Sequence, residues 1–233
     1  MRILLLMTCA LLLVACGTPK PKPTEPPTQA ETQPAPTEQP VAESTKSEPA
    51  PAEARPAEKT GGPLKDTLVA SRLPEKLFLT IKVKDYGTMK VQMATREAPK
   101  NVTNVCNLAI KGFYNGLTFH RLIPGFMIQG GDPKGDGTGG PGYTVPAEIK
   151  LKHEKGSMAM ARLGDQVNPK KESSGSQFYI CFVPTPFLDG SYTVIGKLVS
   201  GMEVLDALER VKTGAMDRPT TPVVMESVFV TTE

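Results

Sequence analysis

Among residues able to do chemistry, the strongest candidates sit together in Phe119-His120-Arg121-Leu122-Ile123-Pro124-Gly125-Phe126-Met127-Ile128-Gln129-Gly130-Gly131-Asp132. The pattern is that of a strand, a Pro-Gly turn and a second strand. Arg121 stands out in this apolar hairpin. Burying an unpaired charge is costly, so Arg121 must find an ionic partner or face a cleft. Strand alternation puts Phe126 and Ile128 on one face and Met127 and Gln129 on the other, unless a bulge intervenes. The same alternation sends His120 to the face opposite Arg121, as a packed or hydrogen-bonded core histidine.

Other groupings fail on chemical grounds. Gly135-Asp136-Gly137-Thr138-Gly139-Gly140 has the look of a phosphate loop. It lacks the Gly-Lys-Ser/Thr ending, and no helix follows it. Asp132 and Asp136 lack the spacing and terminal Glu of a calcium loop. His120 and His153 do not form a metal cluster with the distant cysteines, and there is no nucleophile elbow. No metal or cofactor is expected. From Leu64 onward the chain carries 21 Lys+Arg and 17 Asp+Glu, a net charge of +4 (21 − 17). That mild excess, without a basic run or interleaved aromatics, argues against a nucleic-acid partner.

The elements that must position these residues are mostly strands. Leu77–Val83 and Thr88–Met93 flank a Lys-Asp-Tyr-Gly turn and form a first hairpin. Further strands are expected at Thr118–Ile123, Phe126–Gln129, Ser157–Ala161, Gln177–Phe182, Thr193–Val199 and Val223–Thr231. A helix is expected from Ala98 to Lys111, with Pro99 near its start and Gly112 ending it. A second helix is expected from Met202 to Arg210. Eight strands and two helices in this order predict a mainly β fold, a closed antiparallel barrel capped by the helices. The Gly/Pro stretch 130–142 is expected as a surface loop. Of the two cysteines in this region, Cys106 falls on the helix and Cys181 in a strand, which predicts free thiols.

The first 64 residues have another character. An apolar run from Ile3 to Leu13 follows Arg2 and is too short to cross a bilayer. It reads as a signal peptide over residues 1–15. Leu13-Val14-Ala15-Cys16-Gly17 resembles the bacterial lipobox, which implies a lipidated, palmitate-bearing Cys16 as the new N-terminus. Two or three acyl chains would anchor stably where one is marginal. Residues 17–63 hold 12 Pro and 7 Glu among 47 residues and no aromatic side chain. Such a segment cannot bury enough apolar surface to offset the entropy of ordering, so residues 16–64 read as a disordered linker. Residues 65–233 are left as the folded domain.

The Phe119–Asp132 run is similar to the signature of the cyclophilin family of peptidyl-prolyl isomerases. The similarity continues in order through Gly137-Thr138-Gly139-Gly140, Gly156-Ser157-Met158-Ala159-Met160-Ala161 and Gly175-Ser176-Gln177-Phe178-Tyr179-Ile180-Cys181. It ends with Phe187-Leu188-Asp189-Gly190 and Val194-Ile195-Gly196-Lys197. The resemblance implies a catalytic Arg121, and a proline pocket from Phe126, Met127, Tyr179 and Leu188. It implies substrate contacts through Gln129 and Gln177, main-chain pairing at Ala159 and the backbone of Met160, and a rim at Phe187 and Tyr192. The family commonly has Phe at Tyr179, Asn at Met160 and His at Tyr192, with Trp at Phe187 in eukaryotic members. A phenol at 179 needs a hydrogen-bond partner. A Phe at 187 lacks the indole N–H that can donate to a ligand such as cyclosporin.

What the resemblance implies for the whole chain is an enzyme that isomerises X–Pro bonds of extracytoplasmic proteins and assists their folding. It would sit in the cell envelope, tethered by lipid to a bacterial membrane and facing away from the cytoplasm, with proline-containing polypeptides as partners and a monomeric catalytic domain. The alternative is a proline-segment-binding chaperone or scaffold with little catalysis.

Overall fold

The computed structural model describes residues 62–233. The signal peptide, Cys16 and nearly all of the linker lie outside the described residues. Ten strands and two α-helices follow one another as β1 (Leu77–Val83), β2 (Gly87–Met93), α1 (Pro99–Ile110), β3 (Thr118–Ile123), β4 (Met127–Gly130), β5 (Thr144–Val145), β6 (Ser157–Met160), β7 (Ser173–Ser174), β8 (Phe178–Cys181), β9 (Val194–Ser200), α2 (Met202–Glu209) and β10 (Val223–Thr232). Eight of the strands close into an antiparallel barrel in the order β1-β10-β3-β4-β8-β6-β9-β2. This is the mainly β barrel expected. The small β5–β7 pair stands apart from it and was not foreseen.

Alternating side chains fill the barrel. Leu79, Ile81, Val91, Leu122, Ile128, Met158, Phe178 and Val230 are among the inward residues and are fully or almost fully buried. Phe178 takes Tyr114 and Phe119 edge-on at centroid distances of 5.6 and 6.2 Å, an arrangement that suits aromatic quadrupoles. Helix α1 presents Val102, Val105, Cys106 and Ala109 to the same core. Pro99 is its first residue, where a missing N–H costs nothing. Cys106 and Cys181 are both buried free thiols, and burial pushes both up in pKa.

Two irregularities matter for what the barrel holds. Strand β3 pairs Phe119 with Gly130 but Arg121 with Gln129, so one extra residue, His120, is inserted. This bulge overturns the expected alternation. Phe119 and Leu122 both enter the core, while His120 and Arg121 both line a cavity on the other side. His120 is therefore not a core histidine on the opposite face. It is 6% exposed, and neither ring nitrogen has a hydrogen-bond partner. Burial lowers its pKa.

The second is the glycine-rich loop after β4. Its backbone N–H groups do gather around an anion, and the anion is the chain's own Asp132. This carboxylate is 1% exposed and accepts from Lys134 N at 2.7 Å, Asp136 N at 3.1 Å and Gly137 N at 2.6 Å. These bonds hold its pKa below the usual carboxylate value in spite of burial. Gly139 completes the wrap, since a Cβ there would lie 1.9 Å from Asp132 Oδ1.

Candidate functional site

On the outside of the β3–β4–β8–β6 wall lies an open cavity of about 130 Å³. The bulge brings Arg121 to its edge. The Ile123–Phe126 turn, closed by Phe126 N donating to Ile123 O at 3.0 Å, brings Phe126. Phe126 thus precedes β4, which frees it from strand alternation and lets it join Met127 and Gln129. Tyr179 comes from β8, Leu188 from the short 3-10 helix Pro186–Leu188, and Tyr192 from the segment before β9. Met127, Ala159, Tyr179, Cys181 and Val194 form a second, smaller apolar cluster beneath the cavity. Apolar walls of this kind with a guanidinium at the edge suit a small ring and an adjacent polarisable group.

The polar side chains are held by networks whose directions can be worked out. Gln177 Nε2 lies 3.0 Å from Gly137 O and 2.8 Å from Gly139 O. Carbonyls only accept, so the Gln177 amino group faces them. Its Oε1 then faces Gln129, which must donate through Nε2 at 2.9 Å. Gln129 consequently presents Oε1, an acceptor, and one remaining N–H for a ligand.

Tyr179 has a partner for its hydroxyl. His153, with a fully buried side chain, sits 3.0 Å from the Tyr179 oxygen through Nε2 and 2.8 Å from Asp189 Oδ1 through Nδ1. His153 N also donates to Asp189 Oδ1 at 2.8 Å. The carboxylate accepts, so Nδ1 carries hydrogen, and in the neutral imidazole Nε2 accepts the phenol proton. Burial pushes the Tyr179 phenol far up in pKa, which keeps it a donor. The bonds from His153 hold Asp189 below its usual pKa.

Arg121 donates from Nε to Asp217 Oδ2 at 3.3 Å, with both side chains about half exposed. Ionic partner and cleft, the two readings left open for this arginine, both hold. Among the described residues its terminal amino groups have no protein partner.

The structure brings together Arg121, Phe126, Met127, Gln129, Tyr179, Leu188 and Tyr192 as expected. Phe187 lies at the rim, 71% exposed, with its ring 5.5 Å from that of Phe126. Ala159 supports the floor from beneath. Three residues expected to contact substrate, Ala159 and Met160 through the main chain and Gln177 through its side chain, are not among those that line the cavity. Gln177 is buried behind Gln129 with its amide committed as above. Met160 has its side chain in the barrel core and its N–H donated to Thr193 O at 2.9 Å.

Ala161 and Arg162 line the cavity in their place. Arg162 is nearly buried and pinned by Ser191 O at 2.6 Å, Asp165 Oδ1 at 2.6 Å and the Tyr192 ring at 4.6 Å. Continued alternation past Met160 points to Ala161, and Arg162 follows it directly. His153, Asp189 and Asp217 were also missed. Asp189 adjoins the recognised Phe187-Leu188 pair, whereas nothing local marks His153 or Asp217.

Residues 78–230 match the family model described as cyclophilin type peptidyl-prolyl cis-trans isomerase/CLD. A peptidyl-prolyl cis-trans isomerase of Helicobacter pylori is 43% identical over 145 residues, covering 61% of this chain and 84% of its own length. Peptidyl-prolyl cis-trans isomerase B of Bacillus subtilis is 46% identical over 124 residues, covering 52% of this chain and 82% of its own. A crystal structure of a cyclophilin type isomerase from Cryptosporidium parvum, in the presence of the dipeptide Ala-Pro, superposes with a TM-score of 0.61 at 33% identity. It covers 66% of this chain and 98% of that one.

Proposed function

The chain belongs to the cyclophilin-type peptidyl-prolyl isomerase family, and on that premise we propose that Arg121 is its electrostatic catalyst and the neighbouring apolar cavity its proline pocket. The observation that carries this is the juxtaposition itself: a guanidinium with unspent donors at the edge of a small, aromatic-walled cavity.

Rotation about an amide costs about 18–20 kcal/mol because resonance is broken. X–Pro bonds exchange over tens to hundreds of seconds unaided, although their two isomers are close in energy. No bond is cleaved. The enzyme has only to bind the twisted amide better than either planar form. In the twisted state the prolyl nitrogen regains a lone pair, which a fixed guanidinium can meet with an N–H. One charge-assisted hydrogen bond of this kind is worth about 1.5–3 kcal/mol, roughly 10- to 150-fold in rate. Phe126, Met127, Tyr179 and Leu188 grip the ring, and Gln129 offers Oε1 to a substrate N–H. With one side of the bond held, the other turns. Phe187 and Tyr192 contact the flanking residues.

The substrates on this reading are proline-containing polypeptides outside the cytoplasm. Residues 1–15 are removed as a signal peptide, Cys16 carries the lipid, and residues 16–64 tether a monomeric domain, 65–233, to the membrane. The lipobox-like Leu13–Gly17 run and the Pro/Glu-rich composition after it support this placement.

Exchange NMR on a proline peptide with the full-length chain tests the catalytic reading. Arg121→Ala is expected to slow catalysed exchange at least tenfold while peptide shifts still report binding. Undiminished exchange would remove Arg121 from its role.

A further inference from the structure

Arg121 depends on a residue almost a hundred positions later. Strand β10 opens by pairing Val223 with Phe119 and Val224 with Thr118. In antiparallel register, the residues before Val223 run along those after Phe119, so the 213–219 loop is delivered against the β3 bulge. That loop is closed on itself. Thr213 bridges Pro219, Gly214 N donates to Arg218 O at 2.8 Å, and Thr220 N donates to Lys212 O at 2.9 Å. At its tip Met216 and Asp217 have φ of 59° and 58°. Two successive non-glycine residues in the left-handed region are strained, and strain of this kind persists where the surroundings hold it in place. Asp217 Oδ2 is the acceptor placed on Arg121 Nε.

We infer that Asp217 is a positioning residue for Arg121, and that the strained loop tip exists to hold its carboxylate there. The physical reason lies in the guanidinium. It is a planar, rigid fork, so fixing the direction of Nε–H fixes the plane and with it both terminal amino groups. An arginine on a β-bulge at the mouth of an open cavity has long-chain freedom to turn away. One bond to Nε removes that freedom and leaves the terminal donors for the substrate. Asp217 itself lines the adjoining cavity shared with His120, not the proline pocket, so it acts through the arginine.

This inference rests on Arg121 being the catalyst, and the test separates the two. Catalysed exchange and binding are measured for full-length variants alongside thermal melting. Asp217→Ala is expected to lower kcat about threefold, the scale of a half-exposed ion pair, with KM nearly unchanged. Asp217→Asn keeps an oxygen acceptor and tolerates the left-handed conformation, so it restores most of kcat. Asp217→Gly adopts that conformation without strain, so it keeps the melting temperature yet shows the kcat loss. In the Arg121→Ala background, Asp217→Ala is expected to cost nothing further. Unchanged kcat in Asp217→Ala, or an equal further loss without Arg121, overturns the inference while leaving Arg121 in place. Full activity of Arg121→Ala overturns the underlying reading.

Discussion

Tyr179 puts a phenol where the pocket wall asks only for a ring, and the cost of that oxygen is met by His153 and, behind it, Asp189. Tyr179→Phe would leave His153 Nε2 buried without a donor. A loss of about 1–3 kcal/mol is expected, since an orphaned buried acceptor forfeits its solvation. Differential scanning calorimetry should show a lower melting temperature, with isomerase activity at low temperature largely kept because the ring remains. Gln177 makes the contrasting case. Gln177→Leu removes the acceptor that orients the Gln129 amide. KM for a proline peptide is expected to rise roughly threefold, on the scale of one neutral hydrogen bond, with kcat less affected. Titration of peptide resonances against each variant measures this.

The elements carry the pH dependence. Asp132 at the start of the glycine-rich loop and Asp189 beside the 3-10 helix both have depressed pKa values, from the bonds they accept. Groups of this sign contribute stability that is present above the ordinary carboxylate value, about 3.9, and lost as pH falls through the folded value. His120, lowered by burial, acts earlier. The unfolded chain takes up its proton first, so stability begins to fall below about pH 6.5. Urea midpoints between pH 7 and pH 3 should decline in these two stages. Gly139→Ala would drive a methyl group into the Asp132 carboxylate and is expected to lower the midpoint sharply at every pH. The eight barrel strands, both helices and the Pro-Gly turn were legible because hydrophobic periodicity and turn residues are local signals. The bulge at His120 was not, since it arises from how β3 meets β4 across the sheet. That single insertion misassigned the face of His120. The places of Gln177 and Met160 outside the cavity lining were hidden for a related reason, because which side of a wall a polar or flexible side chain serves is decided by partners distant in the chain.

On the scale of the whole molecule, the proposed tether predicts that Cys16→Ser moves the protein from the membrane fraction to the soluble fraction with isomerase activity intact. Cys106 and Cys181, buried within the folded part, should resist a thiol reagent until denaturant is added. Barrel closure has a further consequence, for the time course of folding. β10, the final strand, is the partner of both β1 and β3. A chain emerging from its N-terminal end therefore holds two open strand edges until Val223–Thr232 arrives. Pairing across most of the domain's length slows folding, to the millisecond-to-second range for domains dominated by such contacts. Exposed edges over that interval are templates for wrong association. An isomerase of this design passes through its own most vulnerable stage just before it closes, and the last ten residues of its barrel decide when that stage ends.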